Sequence, residues 1–215
     1  MFIDRINAWS KNEEFMPYII WFRGQYELGL DFALLTLLIP MGVSEVVVSK
    51  LMLDIESSQK NYLAVESNKL YKQFIRTYKR MSLFIFISTC ISSFTIYRFI
   101  LWYNEISIKI NHENILASDI TLFVLVWGIL SYAILAFCLM NSVILFALSQ
   151  PNMVIRAILP AAITNMILGF VLSRWFDYEY AVFGLFIGSL IFLFLSTKAI
   201  IKVFNNLDYY LYAAS

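Results

Sequence analysis

The sequence predicts an all-α fold, a polytopic transmembrane helix bundle of about five spans, and three observations carry that prediction. The chain of 215 residues is 60% hydrophobic and only 14% charged, with a mean hydropathy of +0.73. Those values lie outside the soluble globular class. The stretch Asp119 to Pro151 holds no charged residue from Ile120 to Leu148. As a helix rising about 1.5 Å per residue it exceeds roughly 40 Å, against a hydrocarbon core of about 30 Å. A soluble domain of this size would need an unusually large apolar shell to bury it. Most of the remaining charge gathers in segments that separate this stretch from four other apolar runs.

Met1 to Glu27 carries Asp4, Arg5, Lys11, Glu13, Glu14, Arg23 and Glu27, interrupted by Phe15, Tyr18, Trp21 and Phe22. Its apolar part is too short to cross a bilayer, and the start has no secretory signal, so an interfacial segment is the simplest reading. Residues 28–215 then form the five-helix bundle.

The first span runs from about Leu28 to Leu53. It is the least lipid-like, holding Asp31 near one end and Glu45 and Lys50 further in. Pro40 removes one helical donor, frees the carbonyl of Thr36 and predicts a kink. Glu45 and Lys50 are about 140° apart around a helix, so they do not face one another. Lys50 can snorkel, whereas Glu45 needs a partner on another helix or a water-filled cavity.

Residues 54–80 are the main polar segment, with Lys60, Lys69, Lys72, Arg76, Lys79 and Arg80 against Asp54, Glu56 and Glu66. Leu63, Leu70, Phe74, Tyr78 and Met81 recur at helical spacing and predict an amphipathic helix leading into the next span. Basic residues interleaved with aromatics also suit an RNA-binding face. Beside a membrane helix, and with a net charge of only +1, they point to the membrane surface and not to nucleic acid.

The second span is about Ser82 to Tyr103, with Arg98 near its far end and Trp102 and Tyr103 as an interfacial belt. A linker from Asn104 to Ser118 contains the lone His112. The third span is the Asp119 stretch, and Pro151 after it suits the first turn of a following helix. The fourth, about Asn152 to Ser173, holds Arg156, Pro160 and Asn165; Pro160 frees the carbonyl of Arg156 and predicts a second local irregularity. The fifth, about Tyr180 to Phe204, ends with Lys198 and Lys202. Its Gly184 and Gly188 form a GxxxG that permits close helix packing.

With 54–80 placed inside, the inner segments carry eight Lys/Arg and the outer ones five. The positive-inside rule then puts the N-terminus outside and the C-terminus in the cytoplasm. Five helices in that orientation suit the second half of a larger pseudo-symmetric carrier.

No catalytic constellation is present in the sequence, with no GxSxG, HExxH or phosphate-cradling glycine loop. Cys90 and Cys138 fall in apolar runs and read as small hydrophobes. The chain therefore reads as a non-enzyme with no cofactor, metal or disulfide. Candidates for a transport path are the polar residues within spans, Glu45, Arg98, Asn141, Arg156 and Asn165. By depth, Glu45 and Arg156 are expected to approach each other. Arg98 and Arg156 also suit snorkelling, and the two asparagines suit interhelical hydrogen bonding without a substrate role.

The C-terminal stretch YEYAVFGLFIGSLIFLFLSTKAIIKVFNNLDYYLY, ending in the Leu207, Asp208, Tyr209 tail, resembles the end of the PelG-type exopolysaccharide exporters. These belong to the multidrug/oligosaccharidyl-lipid/polysaccharide flippase superfamily. FALLTLLIP is similar to the family's middle region and IDRINAWS, Ile3 to Ser10, to a short segment before it. Glu179 and Ala181 stand where the family has small glycine steps, and the chain corresponds to the second of the family's two halves. The resemblance implies a MATE-like half-bundle that exports a polysaccharide by alternating access across the bacterial inner membrane. It also implies cytoplasmic polysaccharide synthesis proteins as partners, and a second transporter half or a homodimer mate to complete the cavity. The alternatives are a non-transporting scaffold subunit of a polysaccharide assembly complex and an inactive truncated transporter.

Overall fold

The computed structural model describes residues 3–11, 22–61, 67–111, 116 and 118–206, leaving out the side chains of 56, 58–61, 67–70 and 111. The elements are α1 (Ile3–Trp9), α2 (Gly24–Leu34), a 3-10 turn (Leu35–Leu37), α3 (Leu38–Asn61), α4 (Ser67–Asn111), α5 (Asp119–Ala147), α6 (Pro151–Trp175), a second 3-10 turn (Tyr178–Ala181) and α7 (Val182–Asn205). Five spans are long and apolar enough to cross a membrane: Gly24–Ile55, Tyr71–Ile110, Asp119–Ala147, Pro151–Trp175 and Tyr178–Asn205. The fold is thus an all-α multi-pass helix bundle. In lipid a backbone must satisfy its own hydrogen bonds, which long helices do.

The Asp119 stretch, α5, is the centre. It packs against α2, α3, α4, α6 and α7, and Val124, Leu125, Met140, Ile144 and Leu145 have no exposed surface. It starts at Ser118, whose hydroxyl accepts from the Ile120 N–H at 3.2 Å and caps the first turn. It ends in a tight turn where Ser149 adopts φ 55° and the Gln150 N–H reaches back to the Leu145 carbonyl at 2.8 Å. That six-to-one bond stops the helix, and Pro151 then opens α6.

The first span is broken where a kink is predicted. A 3-10 turn at Leu35–Leu37 divides α2 from α3, just before the buried Pro40. Thr36, four residues before Pro40, has a carbonyl with no helical donor, and the Ser92 hydroxyl of α4 supplies one at 2.8 Å. Pro160, by contrast, sits exposed inside an unbroken α6. Its ring faces outward, where no neighbour is displaced.

The amphipathic segment and second span form one helix. α4 has 45 residues, about 68 Å at the usual rise, more than twice the hydrocarbon thickness. It also takes in the first half of the expected linker, as far as Asn111. Phe74 and Met81 are buried, and Phe74 stacks on Phe204 of α7 with centroids 6.2 Å apart. The start of α4 and the end of α7 therefore share one end of the bundle. Leu63, His112 and the Leu207, Asp208, Tyr209 tail lie outside the described residues, as does the side chain of Leu70.

Candidate functional site

The densest polar constellation is one that composition hides. Glu27 and Asp31 lie four residues apart on α2, hence on one face. Arg5 of α1 bridges them, pairing with Glu27 through one nitrogen and with Asp31 at 2.6 Å through the other. Trp9 Nε1 donates to the second Glu27 oxygen at 2.8 Å. Asp4 has no exposed surface; its Oδ2 accepts from the Tyr26 hydroxyl at 3.4 Å, and its Oδ1 has no partner among the described residues. Arg5 and Glu27 are buried, whereas the Asp31 side chain is 60% exposed, so the cluster opens outward on that side.

Electrostatics here follow from desolvation. Burial pushes the Asp4 carboxyl up to about 6, with the Arg5 charge and the Tyr26 hydroxyl pulling it partly back. Burial opposes the Arg5 charge, but the Asp31 hydrogen bond and the Glu27 and Asp31 charges outweigh it and hold the guanidinium above its ordinary value. Three carboxyl groups around one guanidinium can thus hold a permanent ion-pair node and one exchangeable proton.

The node docks α1, in the segment expected to lie at the interface, against the helices of the bundle. Asp4 and Ala8 have no exposed surface, and α1 packs on α6 and the second 3-10 turn. Asn7 Nδ2 donates to the Asn165 and Met166 carbonyls of α6 at 3.4 and 3.1 Å. Lys11 pairs with Asp177 at 2.7 Å, and Arg174 donates to the Ser10 carbonyl at 3.1 Å. The Lys11 and Arg174 contacts lie at the exposed edge of the bundle, and Glu27 belongs to the first span.

A second network crosses the core. Tyr78 of α4 donates to Asn141 Oδ1 at 2.9 Å, and Asn141 Nδ2 donates to Ser196 and Thr197 of α7 at 3.0 and 3.2 Å. Asn141 is buried with its amide group engaged, the arrangement that ties helices together in lipid. Asn165 is buried as well, but its Oδ1 has no partner among the described residues. Gly184 and Gly188 pack on it: a Cβ on Gly184 would lie 2.7 Å from the Asn165 carbonyl, and one on Gly188 3.0 Å from the Asn165 Cβ.

Glu45, Arg98 and Arg156 are all exposed, and none forms an ion pair among the described residues. The expected approach of Glu45 and Arg156 does not occur. Glu45 lines a groove of ≈ 640 Å³ with Ser49, Met52, Val143 and Ala147, between α3 and the end of α5. Arg156 lines a different groove, between α6 and α7. Equal depth does not make neighbours, because α3 packs on α4 and α5 whereas α6 packs chiefly on α7 and α1. Lys72, Arg76, Lys79 and Arg80 are exposed along the start of α4; the side chain of Lys69 lies outside the described residues.

The Arg5 node has a sequence signal, though a faint one. Glu27 and Asp31 at i and i+4 in an otherwise apolar run demand a cation. Nothing in the spacing says that the cation lies 22 residues earlier.

No protein-family model, characterised protein or solved structure matches the chain.

Proposed function

We propose that the chain is one half of a membrane transporter that exports a polysaccharide by alternating access, working against a second bundle across a bacterial inner membrane. The observation that carries this reading is the Glu45 groove. Glu45 lies within the apolar span Gly24–Ile55, is exposed, and has no ion-pair partner among the described residues. A lone carboxylate facing hydrocarbon costs about 2.5–3.5 kcal/mol even by the gentler insertion scales. Water or a facing protein surface removes that cost. The same face of α3 exposes Gly42 and Ser49, and nothing approaches within 4 Å of a Cβ built on Gly42. A small, polar, unfilled stripe along a span suits the wall of an aqueous cavity whose other wall is a second transporter half or a second copy.

The resemblance of the last span and tail to PelG-type exporters supports a polysaccharide as the cargo and cytoplasmic synthesis proteins as partners. The basic residues at the start of α4 and the end of α7 support a cytoplasmic placement of that end, by the positive-inside rule.

Export of polysaccharide by cells carrying Glu45→Gln tests the reading. The expected outcome is loss of export with unchanged abundance of the protein in the membrane. Wild-type export by the variant would move the assignment to a non-transporting scaffold. Charge reversal over Lys72, Arg76, Lys79 and Arg80 would then release a cytoplasmic partner.

A further inference from the structure

We infer that the α6–α7 groove holds the headgroup of an anionic phospholipid, with an acyl chain laid along α7. Arg156 of α6 and Lys198 and Lys202 of α7 line one groove of ≈ 190 Å³. Lys198 and Lys202 are one turn apart, so both amines lie on the face of α7 turned toward Arg156. No acidic residue lines this groove, and none of the three cations forms an ion pair among the described residues. The groove also reaches Met153 in the first turn of α6. There the macrodipole of the helix favours negative charge.

A basic pocket alone would suit any small anion. The adjoining groove distinguishes a lipid from a soluble one. Lys198 is shared with a second groove of ≈ 500 Å³, lined otherwise by Leu190, Leu193, Phe194, Thr197 and Ile201. Leu190 is eight residues before Lys198, about 12 Å along the axis toward the middle of the span. The charge thus sits toward the end of α7, and a nearly pure hydrocarbon channel leads from it into the membrane interior. Phe194 is 69% exposed there. A molecule with a phosphate at one end and a hydrocarbon chain at the other matches both surfaces at once. Basic pockets between membrane helices bind such headgroups by this chemistry. The assignment gives Arg156 a role apart from the Glu45 cavity and holds whether or not the chain transports anything.

Native mass spectrometry of the full chain in micelles, with equal phosphatidylglycerol and phosphatidylcholine, tests this. Each basic residue at the surface contributes roughly fivefold to affinity. Wild type is expected to retain phosphatidylglycerol in preference by at least about tenfold. The R156Q/K198Q/K202Q variant should lose the preference, while Lys198→Arg and a K72Q/R76Q/K79Q variant on α4 keep it. Equal retention of both lipids by wild type, or an unchanged preference in the triple variant, would overturn the site. Glycerol phosphate displacing the lipid at concentrations equal to the lipid's own would also overturn it, in favour of a soluble anion. Should the triple variant lose its helical circular dichroism, K198Q alone is read instead: about fivefold loss supports the site and no loss sinks it.

Discussion

The Ser92 hydroxyl donates to the Thr36 carbonyl at 2.8 Å. This bond joins α4 to the first span at the point where Pro40 withholds a helical N–H. Both residues are buried, so no water stands ready to replace either. Ser92→Ala should cost about 1–3 kcal/mol, the penalty for an unmet buried acceptor. Pro40→Ala restores an N–H four residues after Thr36, so the double variant should recover most of the loss. Unfolding midpoints of the four proteins complete the cycle; additive losses would mean that Pro40 and Ser92 act separately.

Arg5 pairs with two carboxylates of α2, Glu27 and Asp31. Arg5→Met leaves Glu27 buried and unpaired, a change worth about 3–5 kcal/mol in comparable buried pairs. The expected readout is release of α1, followed as faster cleavage by protease between Lys11 and Arg23. Replacing Glu27 with Gln in the same chain should return part of the protection. Equal cleavage of wild type and Arg5→Met would show that Asn7, Lys11 and Arg174 hold α1 alone.

Asp4 makes this docking pH-dependent. Its carboxyl stands at about 6 when buried, against an ordinary 3.8. Ionisation therefore costs more in the docked state than in the released one. The contribution of Asp4 to docking is fully present below about pH 4 and is lost as pH rises through 6, in the field of Arg5, Glu27, Asp31, Tyr26 and Tyr132. Labelling of an Ala8→Cys variant by a maleimide, compared at pH 5 and 7 after correction for thiolate content, follows the change. Asp4→Asn should flatten the profile. A profile that survives Asp4→Asn would assign the proton elsewhere.

Gly184 and Gly42 predict opposite outcomes for the same substitution. A Cβ at Gly184 meets backbone atoms of Asn165 and Gly169 on α6, the nearest at 2.7 Å. Backbone cannot swing away as a side chain can, so Gly184→Ala should splay α6 from α7 at about 1–3 kcal/mol. Gly42→Ala enters open space on α3 and should be neutral or stabilising by up to about 1 kcal/mol from helix propensity. Thermal midpoints of the two variants in one detergent decide the matter; equal effects would contradict the packing described for Gly184.

Much of the fold is legible in the residues. The five apolar runs become five spans, and the ends of the last two move by one or two residues: Asn152–Ser173 becomes Pro151–Trp175, and Tyr180–Phe204 becomes Tyr178–Asn205. The break near Pro40 is legible because a missing N–H is a local fact. The second apolar run, Ser82–Tyr103, is the middle of a longer helix that extends past it at both ends. Polar residues at both ends of a helix mask its continuity when only hydropathy is followed. The site is far less legible. Asp4, Arg5 and Glu27 look like headgroup-facing charges, and only the return of α1 onto α6 buries them.

By itself the sequence determined that the chain is helical and that it is built of five apolar spans, with α5 free of charge from Ile120 onward. Lipid offers no hydrogen bonds, so length and apolarity alone settle those points. Only the tertiary structure decided which polar groups meet. Arg5 joins Glu27 and Asp31, Ser92 joins Thr36, and Arg156 joins Lys198 and Lys202 and not Glu45. Those meetings depend on which helices are neighbours, and neighbours are chosen by close contacts such as Gly184 on Gly169 and Gly29 on Val124. Such contacts lie far apart in sequence and leave no periodic trace in it.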